Sequence, residues 1–214
     1  MKLMLVRHAE SMGNVTGEYS TAIADSLSPR GHEQARALAD SLKAWSFAKI
    51  ICSPLERTRD TIKPYLEATG QRAELWPEIA EACWHDEREE LAANWRPQPA
   101  PSLPKAYEEL FSYRDDNAVA HTEPETFGEG LCRVHAAVDM LREMSRDTDG
   151  MVLMIIHGHF IREVLNLFLA TRKINPFHHA NCGMTLLEHQ GVWAMAFCNR
   201  LMPGMVSMEV MGLK

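Results

Sequence analysis

The chain has 214 residues, enough for one sizeable domain whose core needs neither disulfides nor a structural metal. Its 22 Lys and Arg residues against 29 Asp and Glu give a formal net charge of -7, so it has no overall basic field with which to hold a nucleic acid. The five cysteines are odd in number and form no Cys-x-x-Cys pair, which fits a reducing cytoplasm. No apolar run reaches the length of a signal peptide or a membrane span. We therefore expect a cytoplasmic protein that does not associate with membranes.

The N-terminal part of the chain predicts a strand, a loop and a helix. Residues 3–6 are continuously apolar, which is typical of a short strand in a parallel sheet that is covered on both faces. This strand ends directly at Arg7 and His8. Ser28 then provides an N-cap and Pro29 the first helical position, and apolar side chains recur behind them at helical spacing.

A second strand and helix follow in "AKIIC" and "SPLERTRDT". Ser53 and Glu56 have the spacing of a capping box with Pro54 at the first helical position, which predicts a helix that starts immediately after the strand. Pro64 is expected to kink or interrupt this helix, and Gly70 is expected to end it. The stretch "RAELW" then predicts a third strand.

The middle of the chain, about residues 84–126, loses the periodicity of helices and strands. Its "PQPAPSLP" stretch is incompatible with a regular helix or a central strand. We treat this segment as an insertion within a single domain that spans residues 1–214. Two interpretations stay open, a lid over a binding site or a solvated acidic excursion. A lid would offer Trp84, His85, Trp95, Arg96, Tyr107 and Arg114.

The last part of the chain returns to alternating elements. Residues 131–141 place apolar side chains on one helical face, "MVLMII" predicts the most apolar strand, and a helix follows "HGH". "MTLLE" and "VWAMAFC", separated by "HQG", predict a hairpin at the sheet edge. We therefore expect an α/β fold, a three-layer αβα sandwich with a mostly parallel central sheet and an antiparallel edge strand.

Three predicted strands end in unusual polar groups. Arg7 and His8 follow the first, the helix that carries Arg57 follows the second, and His157 follows the most apolar one. Because ligands bind beyond the carboxyl ends of parallel strands, we expect one sheet edge to collect these groups together with a helix N-terminus. Arginine fits phosphoryl oxygens, and a histidine beside it is a candidate nucleophile or acid-base group. The pattern indicates phosphoryl transfer without an obligatory metal.

These motifs resemble those of the histidine phosphatase superfamily, which includes the cofactor-dependent phosphoglycerate mutases and many phosphomonoesterases. "RHAESMGN" is similar to the family's Arg-His-Gly-Glu-Thr-x-x-Asn opening, with Ala9 in place of the glycine, and "LSPRGHEQARALAD" is similar to the segment behind it. "CSPLERTRDT", "IIHGHFIR" and "NCGMTLLE" resemble later motifs of the family in the same order. The resemblance covers most of the chain apart from the insertion.

The resemblance implies a role for each matching residue. His8 would be the nucleophile that becomes a phosphohistidine. Arg7, Arg57 and His157 would bind the phosphoryl oxygens and stabilise the charge of the transition state. Asn14 would add a further polar contact to the phosphate.

The resemblance also implies a carboxyl group that protonates the leaving oxygen. In "IAEACWHDE", Glu81 is the best match, as general acid in the first step and as base toward water in the second. The residues behind Glu81 do not reproduce the family pattern. Glu78, Asp86 and Glu87 therefore stay open as alternatives.

Several other polar residues receive no role in this interpretation. Arg59 lies two positions beyond the predicted phosphate-binding arginine and faces nearly the opposite side of a helix, so we expect it at the surface. His159 completes a His-Gly-His sequence, yet no acidic ligand motif accompanies it, and we predict no metal site. His178 and His179 are expected in a solvated loop.

The sequence thus predicts a phosphomonoesterase that hydrolyses a small phosphorylated metabolite through a phosphohistidine on His8, without a cofactor. Two alternatives stay open. One is a cofactor-dependent phosphoglycerate mutase, which returns the phosphoryl group to a rebound substrate, and the other is a catalytically silent phosphate-binding module. The sequence leaves the physiological phosphoester and the formation of a homo-oligomer undetermined.

Overall fold

A computed structural model of the chain describes residues 1–21, 23–83, 98–115, 118–120, 125–171 and 177–201. The strands are β1 (Lys2–Arg7), β2 (Lys49–Cys52), β3 (Ala73–Leu75), β4 (Gln98–Pro99), β5 (Phe111–Tyr113), β6 (Val119–Ala120), β7 (Met151–Ile156), β8 (Met184–His189) and β9 (Trp193–Arg200). The helices are α1 (Met12–Thr16), α2 (Pro29–Leu42), α3 (Glu56–Thr69), α4 (Phe127–Asp147) and α5 (Gly158–Phe168), and a 3-10 turn covers Pro77–Ile79. None of the described helices combines the length and the apolar character that a membrane crossing needs.

One mixed sheet runs through the described part of the chain. Its strand order is β5-β3-β2-β7-β1-β8-β9. The strands from β5 to β1 run parallel to one another, whereas β8 and β9 form an antiparallel hairpin beside β1. The predicted α/β class and mostly parallel sheet are confirmed, and the predicted hairpin forms the antiparallel edge.

Helices cover both faces of this sheet. On one face α2 and α3 pack, and Leu38 of α2 shares an apolar cluster with Val6 of β1. On the other face α4 and α5 pack, and Val138 of α4 shares a cluster with Leu5. Each of these four side chains is fully buried, and truncation of one, such as Leu38→Ala, costs about 2–5 kcal/mol of folding free energy. Because successive β1 residues enter opposite layers, the strand is continuously apolar.

Helix α3 differs from its prediction at both its start and its middle. It begins at Glu56, with Leu55 as N-cap and no side-chain capping bond, so the predicted capping box and the start at Pro54 are wrong. The Ser53 hydroxyl instead forms a hydrogen bond with His157, which follows the neighbouring strand β7. Pro64 lies inside an uninterrupted helix, because the helix buries apolar side chains on both sides of the proline and tolerates the loss of one N–H donor.

Other predicted helix ends are confirmed. Ser28 is the N-cap of α2, where its hydroxyl accepts the Gly31 N–H at 2.9 Å, and Pro29 is the first helical residue. Gly70 ends α3 in the left-handed region, with φ 69°. Gly31 also allows a close approach, since a Cβ there would lie 2.0 Å from the Glu10 carbonyl oxygen. This approach fixes the start of α2 against the loop that follows β1.

The predicted insertion is described in part, because residues 84–97, 116–117 and 121–124 lie outside the described ranges. Four of the residues predicted for a lid are among those outside: Trp84, His85, Trp95 and Arg96. In the described part, β5 adds a parallel edge strand next to β3 and buries Phe111, while β4 and β6 pair with each other. The segment thus adds a strand to the main sheet that the sequence did not predict, because β5 is too short to show a period. The lid stays a prediction.

Candidate active site

Three neighbouring parallel strands carry polar side chains at or just beyond their carboxyl ends, which together form one edge of the sheet. β7 lies between β1 and β2, with Arg7 opposite Ile156 and Cys52 opposite Ile155. The carboxyl ends of the three strands are therefore level. The residues at these ends are Arg7, which is the last residue of β1, His8 directly behind it, Ser53 behind β2, and His157 behind β7.

The backbone holds His8 in one tautomer. Its Nδ1 lies 2.7 Å from the Ala9 carbonyl oxygen, and because a carbonyl only accepts, Nδ1 carries the proton and Nε2 keeps its lone pair. Burial, followed by the positive charges of Arg57 and Arg7, keeps the pKa of His8 well below its ordinary value. The ring is therefore neutral near pH 7 and has a nucleophilic nitrogen. The Ala9 N–H donates to Thr61 Oγ1 at 2.8 Å, which ties this residue pair to α3.

His157 lies beside His8, with 5.3 Å between the ring centroids. It is fully buried and is the N-cap residue of α5. Its Nε2 lies 2.8 Å from Ser53 Oγ, and its buried Nδ1 has no hydrogen-bond partner among the described residues. Burial, followed by the charge of Arg57, holds the pKa of His157 well below its ordinary value. When the Ser53 hydroxyl donates to Nε2, the ring proton stays on Nδ1 and is available to a phosphoryl oxygen.

Both predicted arginines lie at this edge, and each is held by an oxygen of a distant segment. Arg57, in the first turn of α3, donates from Nη1 to Asp25 Oδ1 at 2.5 Å, and its buried Nε has no hydrogen-bond partner in the described ranges. Arg7 donates from Nη1 to the His179 carbonyl oxygen at 2.6 Å. Both guanidinium charges act on the pKa of His8, so an anion bound at His8 would meet them both.

Asn14 lies in α1, behind the nucleophile loop, and its side chain is engaged within the protein. Its Oδ1 accepts the Ser11 N–H at 3.1 Å and a proton of Asn181 Nδ2 at 3.2 Å, and its Nδ2 donates to the Tyr19 hydroxyl at 3.1 Å. Asn181 also donates to the His8 carbonyl oxygen at 2.9 Å. Asn181 therefore links Asn14 to the main chain of the nucleophile. The contact of Asn14 with a phosphate stays a prediction.

Glu81 lies just behind the 3-10 turn and caps the helix that begins after His157. Its Oε1 accepts the N–H of Phe160, in the first turn of α5, at 3.1 Å. Burial raises the pKa of Glu81 and outweighs the opposing charges of Arg57 and Arg7. A carboxyl group with a raised pKa keeps its proton closer to neutral pH, as a general acid must.

The alternative carboxylates are placed differently. Glu78 is in an ion pair, where its Oε1 accepts from Arg114 Nη2 at 2.6 Å. Asp86 and Glu87 lie outside the described residues. Glu81 feels the charges of both site arginines, and this geometry favours it over Glu78 as the proton donor.

Two residues that were expected in solvent are partly or fully buried. His179 is 2% exposed and its Nε2 lies 2.5 Å from Thr185 Oγ1, so its predicted place in a solvated loop is wrong. Arg59 is partly buried, with its guanidinium 4.6 Å from the centroid of the Tyr107 ring. In both cases the covering partners come from distant parts of the chain.

Three residues at this edge were missed by the sequence analysis: Asp25, Ser53 and Asn181. Ser53 had a usable signal, because it follows a buried strand as directly as His157 does. Asn181 precedes β8, which runs antiparallel to β1 and therefore starts at the edge where β1 ends. Asp25 lies in a loop without periodicity and carries no comparable signal.

Taken together, the edge offers a neutral nucleophilic nitrogen, two guanidinium groups, a second imidazole and a carboxyl group with a raised pKa. This set is suited to covalent phosphoryl transfer. In the described part of the chain, no group of three or more His, Cys, Asp or Glu side chains has the arrangement of a metal site.

A sequence model of the histidine phosphatase superfamily (branch 1) matches residues 3–197 of the chain. The chain belongs to this superfamily. The predicted family is therefore confirmed. This histidine phosphatase superfamily member is 37% identical over 86 residues to the adenosylcobalamin/alpha-ribazole phosphatase of Salmonella typhimurium, a match that covers 40% of the chain and 43% of that protein. The matched segment thus spans less than half of the length of this relative.

Two further proteins resemble the chain over nearly its whole length. A protein of Shigella dysenteriae named "Probable phosphoglycerate mutase" is 27% identical over 202 residues, with 89% of this chain and 86% of that protein covered. The crystal structure of the alpha-ribazole phosphatase from Shigella flexneri has a TM-score of 0.67 at 20% identity, with 94% of this chain and 96% of that chain covered. At this identity the structural likeness establishes the fold and nothing beyond it.

Proposed function

We propose that the chain is a phosphomonoesterase that hydrolyses a small phosphorylated metabolite through a phosphohistidine on His8. One observation carries the proposal, namely that the neutral His8 ring keeps its Nε2 lone pair beside two guanidinium groups. Membership of the superfamily and the phosphatase name of the Salmonella relative support hydrolysis. The net charge of -7 supports a small monoester over a long polyanion as substrate.

In the first step, His8 Nε2 attacks phosphorus, so that an N–P bond forms and the P–O bond to the leaving group breaks. Arg7, Arg57 and His157 bind the phosphoryl oxygens and stabilise the charge of the transition state. Glu81 transfers its proton to the leaving oxygen, which departs as a neutral alcohol or phenol.

In the second step, a water molecule takes the place of the leaving group. The Glu81 carboxylate accepts a proton from this water while the water oxygen attacks phosphorus. The N–P bond breaks, its electron pair returns to His8 Nε2, and inorganic phosphate leaves. The cycle consumes one water molecule and restores both the neutral His8 and the protonated Glu81, so it requires no cofactor.

A phosphoglycerate mutase is the second candidate, supported by the match to the Shigella dysenteriae protein over most of both chains. A mutase keeps the phosphoryl group on the histidine until the substrate rebinds, and it therefore excludes water from the second step. Release of inorganic phosphate measured beside interconversion of 2- and 3-phosphoglycerate separates the two activities. Hydrolysis without interconversion supports the phosphatase.

The proposal is tested by trapping the intermediate. We expect wild-type protein mixed with 4-nitrophenyl phosphate and quenched in alkali to carry one phosphoryl group on His8, as located by mass spectrometry, and to lose it in acid. His8→Asn should abolish both this label and turnover. The matched control is His32→Asn on the exposed side of α2, which should leave both unchanged. Full turnover by His8→Asn would rule the mechanism out.

A further inference from the structure

Arg133 of α4 is a buried arginine that the phosphoryl chemistry does not use. It is 7% exposed and forms a bidentate ion pair with Glu125, from Nε to Oε1 at 2.9 Å and from Nη2 to Oε2 at 2.5 Å. Its remaining N–H groups donate to three main-chain carbonyls: Glu78 at 2.9 Å, Ala80 at 2.6 Å and Glu81 at 2.9 Å.

These five bonds use all five N–H donors of the Arg133 guanidinium. The group has no donor left for a substrate, so it is not a catalytic residue. Three of its five acceptors belong to the short segment 78–83 that contains Glu81. Glu125 neutralises the buried charge, and without that partner the guanidinium would be strongly destabilised in its site.

The same segment is held from two further directions. Gly130, one turn before Arg133 on α4, approaches it closely enough that a Cβ there would lie 3.1 Å from the Cys83 nitrogen. Arg162 of α5 donates from Nη2 to the Cys83 carbonyl oxygen at 3.1 Å. Cys83 itself has φ 59°, a left-handed conformation that a non-glycine residue adopts only when its surroundings impose it. The segment around Glu81 is thus fixed by side chains of α4 and α5 rather than by pairing in the sheet.

We propose that Arg133, together with Glu125, is the positioning residue for the proton donor Glu81. The inference rests on the proposed function, in which Glu81 protonates the leaving oxygen. Arg133 fixes the main chain on both sides of the Glu81 side chain, while the Phe160 N–H fixes the carboxyl group itself. Loss of the guanidinium should therefore weaken proton donation specifically and leave attack by His8 intact.

The leaving group provides a test that a merely structural role would not pass. The leaving group of phenyl phosphate is a basic phenolate that needs a proton as it departs. The leaving group of 4-nitrophenyl phosphate is an anion that is stable without one. Arg133→Lys keeps the charge but loses the planar five-donor geometry. We expect the Arg133→Lys variant to lower kcat/KM for phenyl phosphate about 10- to 100-fold, which is the effect of a misplaced catalytic group. For 4-nitrophenyl phosphate, we expect kcat/KM to change less than about twofold.

Three controls accompany this measurement. Glu125→Gln removes the partner instead and should show the same selective loss, which provides a second variant if Arg133→Lys does not fold. Arg142→Lys, at an exposed position of the same helix, should affect neither ester. In a Glu81→Gln background, Arg133→Lys should cause no further selective loss, because both changes act on one group.

The outcomes separate this inference from the proposed function. An equal loss on both esters, or no loss on either, in a folded Arg133→Lys variant overturns the positioning role while the phosphatase proposal stands. A wild-type protein that hydrolyses neither ester and forms no phosphohistidine overturns both. A loss confined to phenyl phosphate supports both.

Discussion

Arg7 ends strand β1, and His8 and His157 follow strands β1 and β7 without a gap, whereas Glu81 lies on an irregular segment behind a 3-10 turn. The first group takes its position from the hydrogen-bonded main chain of the sheet, in which β1 and β7 are in register up to their last residues. The position of Glu81 depends on individual side chains, above all Arg133. The nucleophile side should therefore tolerate changes in its surroundings better than the proton-donor side.

The difference extends to electrostatics. At the sheet edge, burial and the arginines act in the same direction and both lower the pKa of His8. At Glu81 they act in opposite directions, because burial raises the pKa while Arg57 and Arg7 lower it. The pKa of Glu81 thus results from two opposed effects. It should therefore respond more strongly than the pKa of His8 to any change that admits water or removes a charge.

The largest expected effect is at Glu81. Glu81→Gln removes the proton donor and should lower kcat/KM for phenyl phosphate by about 10²- to 10⁴-fold, which is the usual contribution of general acid catalysis. The variant should retain most of the activity of wild type in forming the phosphoenzyme from 4-nitrophenyl phosphate, as measured by the burst of nitrophenol. An equal loss in both measurements would contradict the role of proton donor.

The pH dependence of the same variant sharpens the comparison. Step one needs neutral His8 and protonated Glu81, so both groups shape the profile of kcat/KM: it should fall below the lowered pKa of His8 and above the raised pKa of Glu81. Glu81→Gln should abolish the alkaline fall and leave the acid one. Because the phosphate ester ionises identically with both proteins, the difference between the two profiles isolates Glu81. An alkaline limb that persists in the variant would assign it to another group.

Arg57 should show the next largest effect, and one that does not depend on the leaving group. Arg57→Met removes a donor to the phosphoryl oxygens and should lower kcat/KM for both esters by about 10²- to 10³-fold. The matched control is Arg59→Met on the same helix, whose guanidinium packs on Tyr107 and should be dispensable for turnover. A loss confined to phenyl phosphate would place Arg57 on the proton-donor side instead.

Ser53 should give the smallest of these effects. Ser53→Ala removes the hydroxyl that bonds to His157 Nε2 and should lower kcat/KM about 2- to 10-fold for both esters, the range of one hydrogen bond. Ser41→Ala, whose hydroxyl bonds within its own helix α2, is the control and should have no effect on turnover. An increase of activity in Ser53→Ala would show that the hydroxyl does not help His157 to donate.

Much of the fold and part of the site follow from local patterns in the sequence. The short, continuously apolar runs before Arg7 and His157 are typical of buried parallel strands, and the parallel arrangement that they imply brings their ends together. The short strand β5 was missed because three residues show no period, and Pro64 does not interrupt α3 because packing outweighs the loss of one hydrogen bond. Local patterns thus predict the long central strands better than the short strand at the edge of the sheet.

The missed site residues share a different property. Asp25 bonds to Arg57 across 32 positions and Asn181 bonds to the His8 carbonyl across 173, so neither contact leaves a trace in the nearby sequence. Arg133 lies beside the apolar face of α4 and resembles an ordinary polar flank until its five acceptors are seen. Such contacts between distant segments require the folded structure.

The hydrogen bond from His8 Nδ1 to the Ala9 carbonyl has a consequence for how the site can change over time. In a Ser-His-Asp triad a carboxylate orients the histidine, and one substitution removes it. Here the acceptor is a peptide carbonyl, which every amino acid at position 9 supplies. No single substitution can delete the group that selects the nucleophilic nitrogen, so mutation reaches the reactivity of His8 mainly through the charges around the ring.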